Sequence, residues 1–190
     1  MTQKFKIDLK TDAKVEKKEQ KKIIHLLDSD QTEVKLLSED DVGQAVKIMG
    51  KCSFEVTEKE VSDIIKMGFS YGAYVDRMLI GVSLAWPAHY DEAAEDIAGE
   101  NPNAIYNEDP AVLLAYEGRG VRRILLRKKE EEAIKHGFAY SVAYLYEDVP
   151  KGEVSSYIRE AGSQLEKLYL SEKYAFHKTK KGVLAVKKLV

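Results

Sequence analysis

One cysteine, Cys52, in 190 residues excludes an internal disulfide framework and fits a reducing compartment. The four histidines, His25, His89, His136 and His177, show no metal-ligand spacing, so no metal is expected. Proline and glycine are too sparse to mark a flexible linker, and no internal repeat is visible. No apolar run approaches the roughly 20 residues that a membrane span needs, and none follows the early lysines as a secretory signal would. A membrane association is therefore not expected, and the cytoplasm is the expected location. A dominant charge is missing too. The net charge of -2 conceals a lysine-rich stretch at residues 10–22 and an acidic one at 91–109 that lacks Lys and Arg.

Apolar residues make up 44% and charged residues 33%, the balance of a globular protein with a heavily charged surface. The length suits one domain with a sizeable core. Residues 1–31 read as a charged N-terminal extension and 32–190 as a single domain. Within the extension, Phe5, Ile7 and Leu9 alternate like a short strand, and 13–27 reads as a solvated helix. Acids interleaved with the lysines weaken any phosphate-binding case, so nucleic acid is not an expected partner.

From Thr32 onward the pattern predicts α+β structure. Glu33 to Leu37 reads as a strand. Ser38, with Asp41 three residues later, starts a helix, and Thr57 with Glu60 forms a capping box for the next. Tyr71–Val75 and Met78–Trp86 read as strands, and Gly81 marks a bulge or close packing. The acidic stretch 89–103 reads as a loop, either a solvated face or a steering surface for a cationic substrate. A strand over 104–114, a helix over 121–136 and a strand over 138–146 form one crossover, with the strands parallel. The charged turn Lys128–Glu132 predicts a solvated face on that helix. A helix from Glu153 to about Lys173 and a hairpin over 176–190 complete the chain.

The densest signal is the junction Ala111–Leu126. An apolar strand ends at Gly118-Arg119-Gly120, and a basic helix begins at once. Glycines let backbone approach a ligand closely, and a helix start offers unpaired N–H groups at a positive dipole end. Such a junction cradles an anion such as a pyrophosphate. A P-loop needs Gly-Lys-Ser/Thr, whereas Val121-Arg122-Arg123 follows here. A dinucleotide fingerprint needs a third small residue where Arg123 stands.

Ala111-Val112, four further residues, then Glu117-Gly118-Arg119-Gly120-Val121-Arg122 resembles the acyl-CoA motif of the GNAT N-acetyltransferase superfamily. Glu117 stands where Arg or Gln is usual, and Arg122 where Gly or Ala is usual. Leu168-Tyr169-Leu170-Ser171-Glu172-Lys173-Tyr174 resembles a second family segment, with Lys173 in place of Gly. The resemblance runs from about Thr32 to the C-terminus and leaves 1–31 and 89–103 unexplained. It implies a mixed, strongly twisted sheet of about six to seven strands with helices on both faces. It also implies transfer of an acetyl or related acyl group from acetyl-CoA, without metal, to a primary amine on a small molecule or protein. The alternative is a catalytically silent acyl-CoA-binding or regulatory module. A homodimer is the commonest assembly for such a domain.

On this resemblance Ala111, Val112, Leu113, Gly118, Arg119, Gly120, Val121, Arg122 and Arg123 bind the cofactor. Tyr169 matches the tyrosine that protonates the departing thiolate, or else it packs its ring beside Leu165 and Leu168 with a wet hydroxyl. Glu108 is the general-base candidate, against the plainer reading of a solvated strand carboxylate. Alternation puts Tyr106, Glu108 and Pro110 on one strand face and Asn107, Asp109 and Ala111 on the other. Asp109 competes if the register is one off. His136 reads as a helix-end cap, His89 as a loop residue, and Cys52 and Trp86 as structural.

Overall fold

Two Ser/Thr-x-x-acid signals start the first helices as their spacing predicts. The Thr57 hydroxyl accepts the Glu60 N–H at 3.2 Å, and the Glu60 carboxylate accepts the Thr57 N–H at 2.8 Å. The Ser38 N–H donates to the Asp41 carboxylate at 2.8 Å. This opens a 3₁₀ turn at Glu39–Asp41 that runs into helix α1, Val42–Lys51; helix α2 is Glu58–Ile65. The computed structural model describes residues 32–146 and 149–190, Tyr146 by its backbone alone. The strand and helix expected within 1–31 lie outside the described residues. Residues Glu33–Val190 form one compact unit.

The first strands are β1 (Glu33–Leu36), β2 (Tyr71–Val75), β3 (Met78–Ser83) and β4 (Ala85–Ala88). A short ribbon, β5 (Tyr90–Asp91) with β6 (Asp96–Ile97), precedes β7 (Ala104–Asn107) and β8 (Ala111–Val112). Helix α3 (Val121–Lys135) leads into β9 (Tyr140–Tyr146). Helices α4 (Val154–Ala161) and α5 (Gln164–Ser171) and the hairpin β10 (Ala175–Thr179) with β11 (Gly182–Lys188) close the chain. The strands form an antiparallel sheet, β1-β2-β3-β8, and a mixed sheet, β10-β11-β9-β7-β4. β7 and β9 run parallel, joined by α3 as the crossover pattern predicts.

Four expectations change. The strand expected over 78–86 breaks at Leu84, so β3 and β4 join different sheets. The strand expected over 104–114 breaks at 108–110, where Pro110 has no N–H for a ladder. The expected loop 89–103 holds the β5–β6 ribbon, pinned where the Asn103 side chain accepts from the Tyr90 N–H at 2.8 Å and donates to its carbonyl at 2.9 Å. The long helix over 153–173 is two helices. Gly162 turns extended there, and a Cβ on it would lie 2.6 Å from the Ile158 carbonyl oxygen. Ser163 then caps α5 by accepting the Glu166 N–H at 3.2 Å.

Helices cover both faces of the four-stranded sheet. On one face Ala45, Ile48, Met49, Val61 and Ile65 pack with Leu79, Val82 and Ala111. On the other, Val121 and Leu125 of α3 pack on Tyr71, Ala73, Ile80 and Val112. Gly81 serves both of its expected purposes. The β2–β3 register shifts beside it, and a Cβ there would come within 3.1 Å of Val121 Cγ1. The start of α3 therefore seats tightly on β3. The Lys128–Glu132 turn is not the solvated face its charge predicts, because Lys129 and Glu130 are only 2% and 7% exposed.

Lys173 has its own account. Helix α5 ends in a Schellman arrangement, with the Tyr174 N–H on the Tyr169 carbonyl at 3.1 Å and the Lys173 N–H on that of Leu170 at 3.2 Å. Lys173 takes φ 66° there, the left-handed position glycine ordinarily fills. Lys173→Gly is expected to stabilise the fold by about 0.5–1 kcal/mol, the left-handed strain less the chain entropy that glycine adds. A urea midpoint that stays put or falls at constant slope would contradict this.

Candidate active site

The break at 108–110 separates the two sheets. Up to Tyr106, β7 pairs with β9 in parallel: Ala104 with Tyr140, Ile105 with Ser141, and Tyr106 with Val142. Beyond the break, Ala111 and Val112 pair with Val82 and Gly81 of β3 instead. β9 continues to Tyr146 beside β11 alone. The sheets thus diverge at Glu108, Asp109 and Pro110. The Glu108 N–H holds the apex by donating to the Leu84 carbonyl at 3.1 Å. Alternation does not carry through this irregular segment, where the ladder breaks between β7 and β8.

Past β8, Leu114–Tyr116 makes a 3₁₀ turn, and Gly118 and Gly120 take φ 74° and 79°. Gly120 is the residue from which α3 starts, with no side-chain cap. The N–H groups of the first turn have no partner within the helix itself. A Cβ on either glycine would meet nothing within 4 Å, so the left-handed turn, rather than neighbouring protein, calls for glycine. In front of the turn lies a cavity of about 730 Å³, walled by Val112, Tyr116–Gly118, Gly120–Arg123 and by Gln164, Lys167, Leu168 and Ser171 of α5. Of the nine residues expected to bind cofactor, Val112, Gly118, Gly120, Val121, Arg122 and Arg123 wall this cavity. Ala111 and Leu113 do not, and Arg119 lies over the Tyr116 ring, its Cζ 5.3 Å from the centroid.

The two departures from the motif meet each other. Arg122 Nη2 donates to Glu117 Oε1 at 2.6 Å, neutralising the carboxylate on the cavity rim. Arg122 Nε is buried without a partner. Arg123 pairs with Glu172 at 3.0 Å and donates to the Ser171 hydroxyl at 3.0 Å. Arg127 makes a bidentate pair with the same Glu172 at 3.0 Å per bond, lowering its carboxyl's pKa. These bonds tie α3 to the C-terminal end of α5 and fix two walls of the cavity.

Helix α5 also carries a buried tyrosine that is not a wall of the cavity. Tyr169 is 1% exposed among Leu126, Ala143, Tyr174 and Ala185, edge-on to Tyr174 at 4.8 Å. Its ring packs against the cluster that also takes Leu165 and Leu168, but the expected wet surroundings are absent. Burial, then the charges of Asp109 and Glu108, push its phenol well above the usual range, so it stays protonated. Burial raises the Glu108 carboxyl, and burial with the Glu108 charge raises Asp109 to about 6. Asp109 Oδ1 has no hydrogen-bond partner. Trp86 belongs to β4 and stacks on Tyr106 at 4.5 Å, half-buried rather than in the core.

Several other polar residues singled out in the sequence have hydrogen-bond partners. His136 Nδ1 donates to the Glu132 carbonyl at 2.8 Å, a helix-end role as expected. His89 is bonded to the Asn101 carbonyl, and Cys52 Sγ donates to the Val112 carbonyl at 3.3 Å. In the acidic ribbon, Asp91 accepts the Ala93 and Ala94 N–H groups at 2.8 and 3.1 Å, so this acid serves its own turn. Among the described residues no cluster of His, Cys, Asp or Glu could hold a metal ion, and no helix is long and apolar enough to cross a membrane.

Comparison with solved structures decides the architecture. The loading GNATL domain of CurA from Lyngbya majuscula superposes with a TM-score of 0.64 at 12% identity, over 84% of this chain and 98% of that one. The fold is that of the GNAT N-acetyltransferases. The GNAT domain of S. lividans PAT is similar at TM-score 0.62 and 15% identity, over 83% of this chain and 90% of that one. The PaiA N-acetyltransferase from Thermoplasma acidophilum, solved in complex with coenzyme A, gives 0.55 and 14% identity over 84% and 99%. No family model matches the sequence, and no curated protein matches it. Charge patterning singles out neither Lys167, a wall of the cavity, nor Glu172, which anchors Arg123 and Arg127, nor the buried Lys129. A stripe at spacing four, Val121, Leu125, Lys129 and Ala133, carried the signal for Lys129.

Proposed function

We propose that the chain transfers an acetyl or related acyl group from acyl-CoA to a primary amine on a small molecule or protein. The observation that carries this reading is the cavity at the start of α3, walled by Val112 of β8, the glycine turn and α5. The chemistry of its walls fits a pantetheine diphosphate. Left-handed glycines present the backbone N–H groups of the first turn, and Arg122, Arg123 and Lys167 on the walls carry positive charge. Acyl-CoA, when bound, supplies an activated thioester carbonyl.

This chain's residues then divide the work. The glycine turn and the first turn of α3 hold the diphosphate, with Val112 beside the chain that leads from it. Glu108 accepts the proton that the amine loses, and Asp109 shares its titration as a coupled neighbour. Tyr169, kept protonated by burial and nearby carboxylates, is the proton donor for the departing thiolate. The Glu117–Arg122 pair and the left-handed Lys173 give structural reasons for the three departures from the family motif. They weaken the ground for a silent module.

Selective binding to the folded state raises its melting temperature. Acetyl-CoA at 100 times its Kd is expected to stabilise the chain by about 2.7 kcal/mol, read as a rise of a few degrees. No shift at millimolar acetyl-CoA would overturn the proposal.

A further inference from the structure

The parallel pair β7–β9 ends at a row of aromatic rings that the proposed chemistry leaves unused. Trp86 of β4 pairs with Tyr106 of β7, and Tyr106 pairs with Val142 of β9. Tyr144, two residues beyond Val142, therefore shares their sheet face. The Trp86 and Tyr106 rings stack at 4.5 Å between centroids, and those of Tyr106 and Tyr144 lie 6.4 Å apart. All three side chains are half-buried, and β4 is the edge strand of the mixed sheet. Helices α3 and α5 pack on the opposite face, where Leu126 and Tyr169 meet Ala143 and Ala185.

The ribbon β5–β6 packs on this face toward the start of β7. Tyr90 stands edge-on to Tyr140 at 5.0 Å, in a cluster with Ala104 and Val142. The aromatic row sits at the other end of β7. Tyr106 is its last residue paired with β9, just before the break at 108–110. Ligands of such sheets bind outside the carboxyl ends of parallel strands, where neighbouring strands part.

The chemistry of the row selects a cation. Aromatic faces attract an ammonium through the ring quadrupole. Charge along the adjoining chain has one sign, since residues 91–109 hold seven acids and neither Lys nor Arg. Asp96 accepts from the Tyr144 hydroxyl, and Glu108 follows Tyr106 by two residues. Burial, then the Glu108 charge, push the Tyr106 phenol up, so it stays neutral. The cations found over rings among the described residues lie over Tyr71, Tyr74, Tyr116 and Tyr174, none of them in this row.

We propose that Trp86, Tyr106 and Tyr144 form the acceptor site, and that it takes an alkylammonium, free or carried on a lysine side chain. Calling this ligand the acceptor rests on the acyltransferase reading, whereas the ammonium site stands apart from it. The divergence of the sheets beside the row is where the acceptor nitrogen meets the thioester.

Trp86 is the one tryptophan of the chain, so its fluorescence reads the site without turnover. The probe is tetramethylammonium, which has no nitrogen to acylate, beside tert-butanol as an uncharged molecule of similar size. Tetramethylammonium is expected to change the Trp86 emission saturably, and tert-butanol to leave it unchanged. In Tyr106→Leu, which keeps the tryptophan, the Kd for tetramethylammonium should rise roughly 3–30-fold, the range of one cation–π contact. In turnover the KM for the amine should rise alike while kcat and the KM for acetyl-CoA hold, whereas a purely structural defect would move all three. If Tyr106→Leu does not fold, Tyr144→Leu carries the same expectation. Competition by n-butylamine and by a lysyl peptide separates a free amine from a protein lysine, and displacement of the probe by neither would overturn the proposal. An equal response to tert-butanol, or an unchanged Kd in the folded variant, is equally fatal. Saturable cation binding in a chain that never releases thiol would sink the acyltransferase reading and leave the ammonium site standing. Amine-dependent thiol release without any emission response would do the reverse.

Discussion

Glu108→Gln is expected to lower kcat by roughly 10²–10⁴-fold and leave the KM for acetyl-CoA nearly unchanged. The amide matches the carboxylate in shape but cannot accept the amine's proton. Glu108 also lies outside the cavity that would hold the cofactor, so binding should survive. The sign of the pH dependence follows from the raised carboxyls. A base works ionised, and burial raises both Glu108 and Asp109, the latter to about 6. The rate should therefore climb with pH through a region above the ordinary carboxylate range, and Glu108→Gln should abolish that limb. Asp109→Asn should shift the limb and cost less in kcat. A full rate in Glu108→Gln would move the proton acceptor elsewhere.

Arg122→Glu is expected to weaken acetyl-CoA binding by roughly 10–100-fold, the loss of one charge-assisted contact. It converts the 2.6 Å pair with Glu117 into two like charges on the cavity rim. The exchange Glu117→Arg with Arg122→Glu restores opposite charges and should recover part of the affinity, a coupling that a double-mutant cycle measures. Added salt should weaken wild-type binding more than that of the single variant. Equal affinity in Arg122→Glu and wild type, read by isothermal titration, would show that the rim charges do not face the ligand.

The glycine turn, the α3 crossover and the parallel β7–β9 pair were legible because each has a local cause: left-handed positions, a helix start and apolar runs of the right length. The break at 108–110 was not. Period-two alternation extrapolates through Pro110 and assigns Glu108 and Asp109 to opposite faces, whereas the chain switches sheets there. Helices α4 and α5 looked continuous because Gly162 is tolerated in many helical patterns, although the Ser163–Glu166 box after it marked a new start. Lys129 was hidden by composition. Six consecutive charges, Arg127–Glu132, read as solvent-facing, and only the spacing of Val121, Leu125, Lys129 and Ala133 placed it inside. Glu117, Arg122 and Lys173 looked like defects one by one. The first two form a pair in space, and the third is a helix end under strain.

Release of free thiol from acetyl-CoA across a panel of primary amines, with wild-type chain beside Glu108→Gln, tests the central claim most directly. The account predicts thiol release that depends on the amine in the wild type and is lost in the variant, with both binding coenzyme A. Binding of coenzyme A without release for any amine in the panel would contradict it.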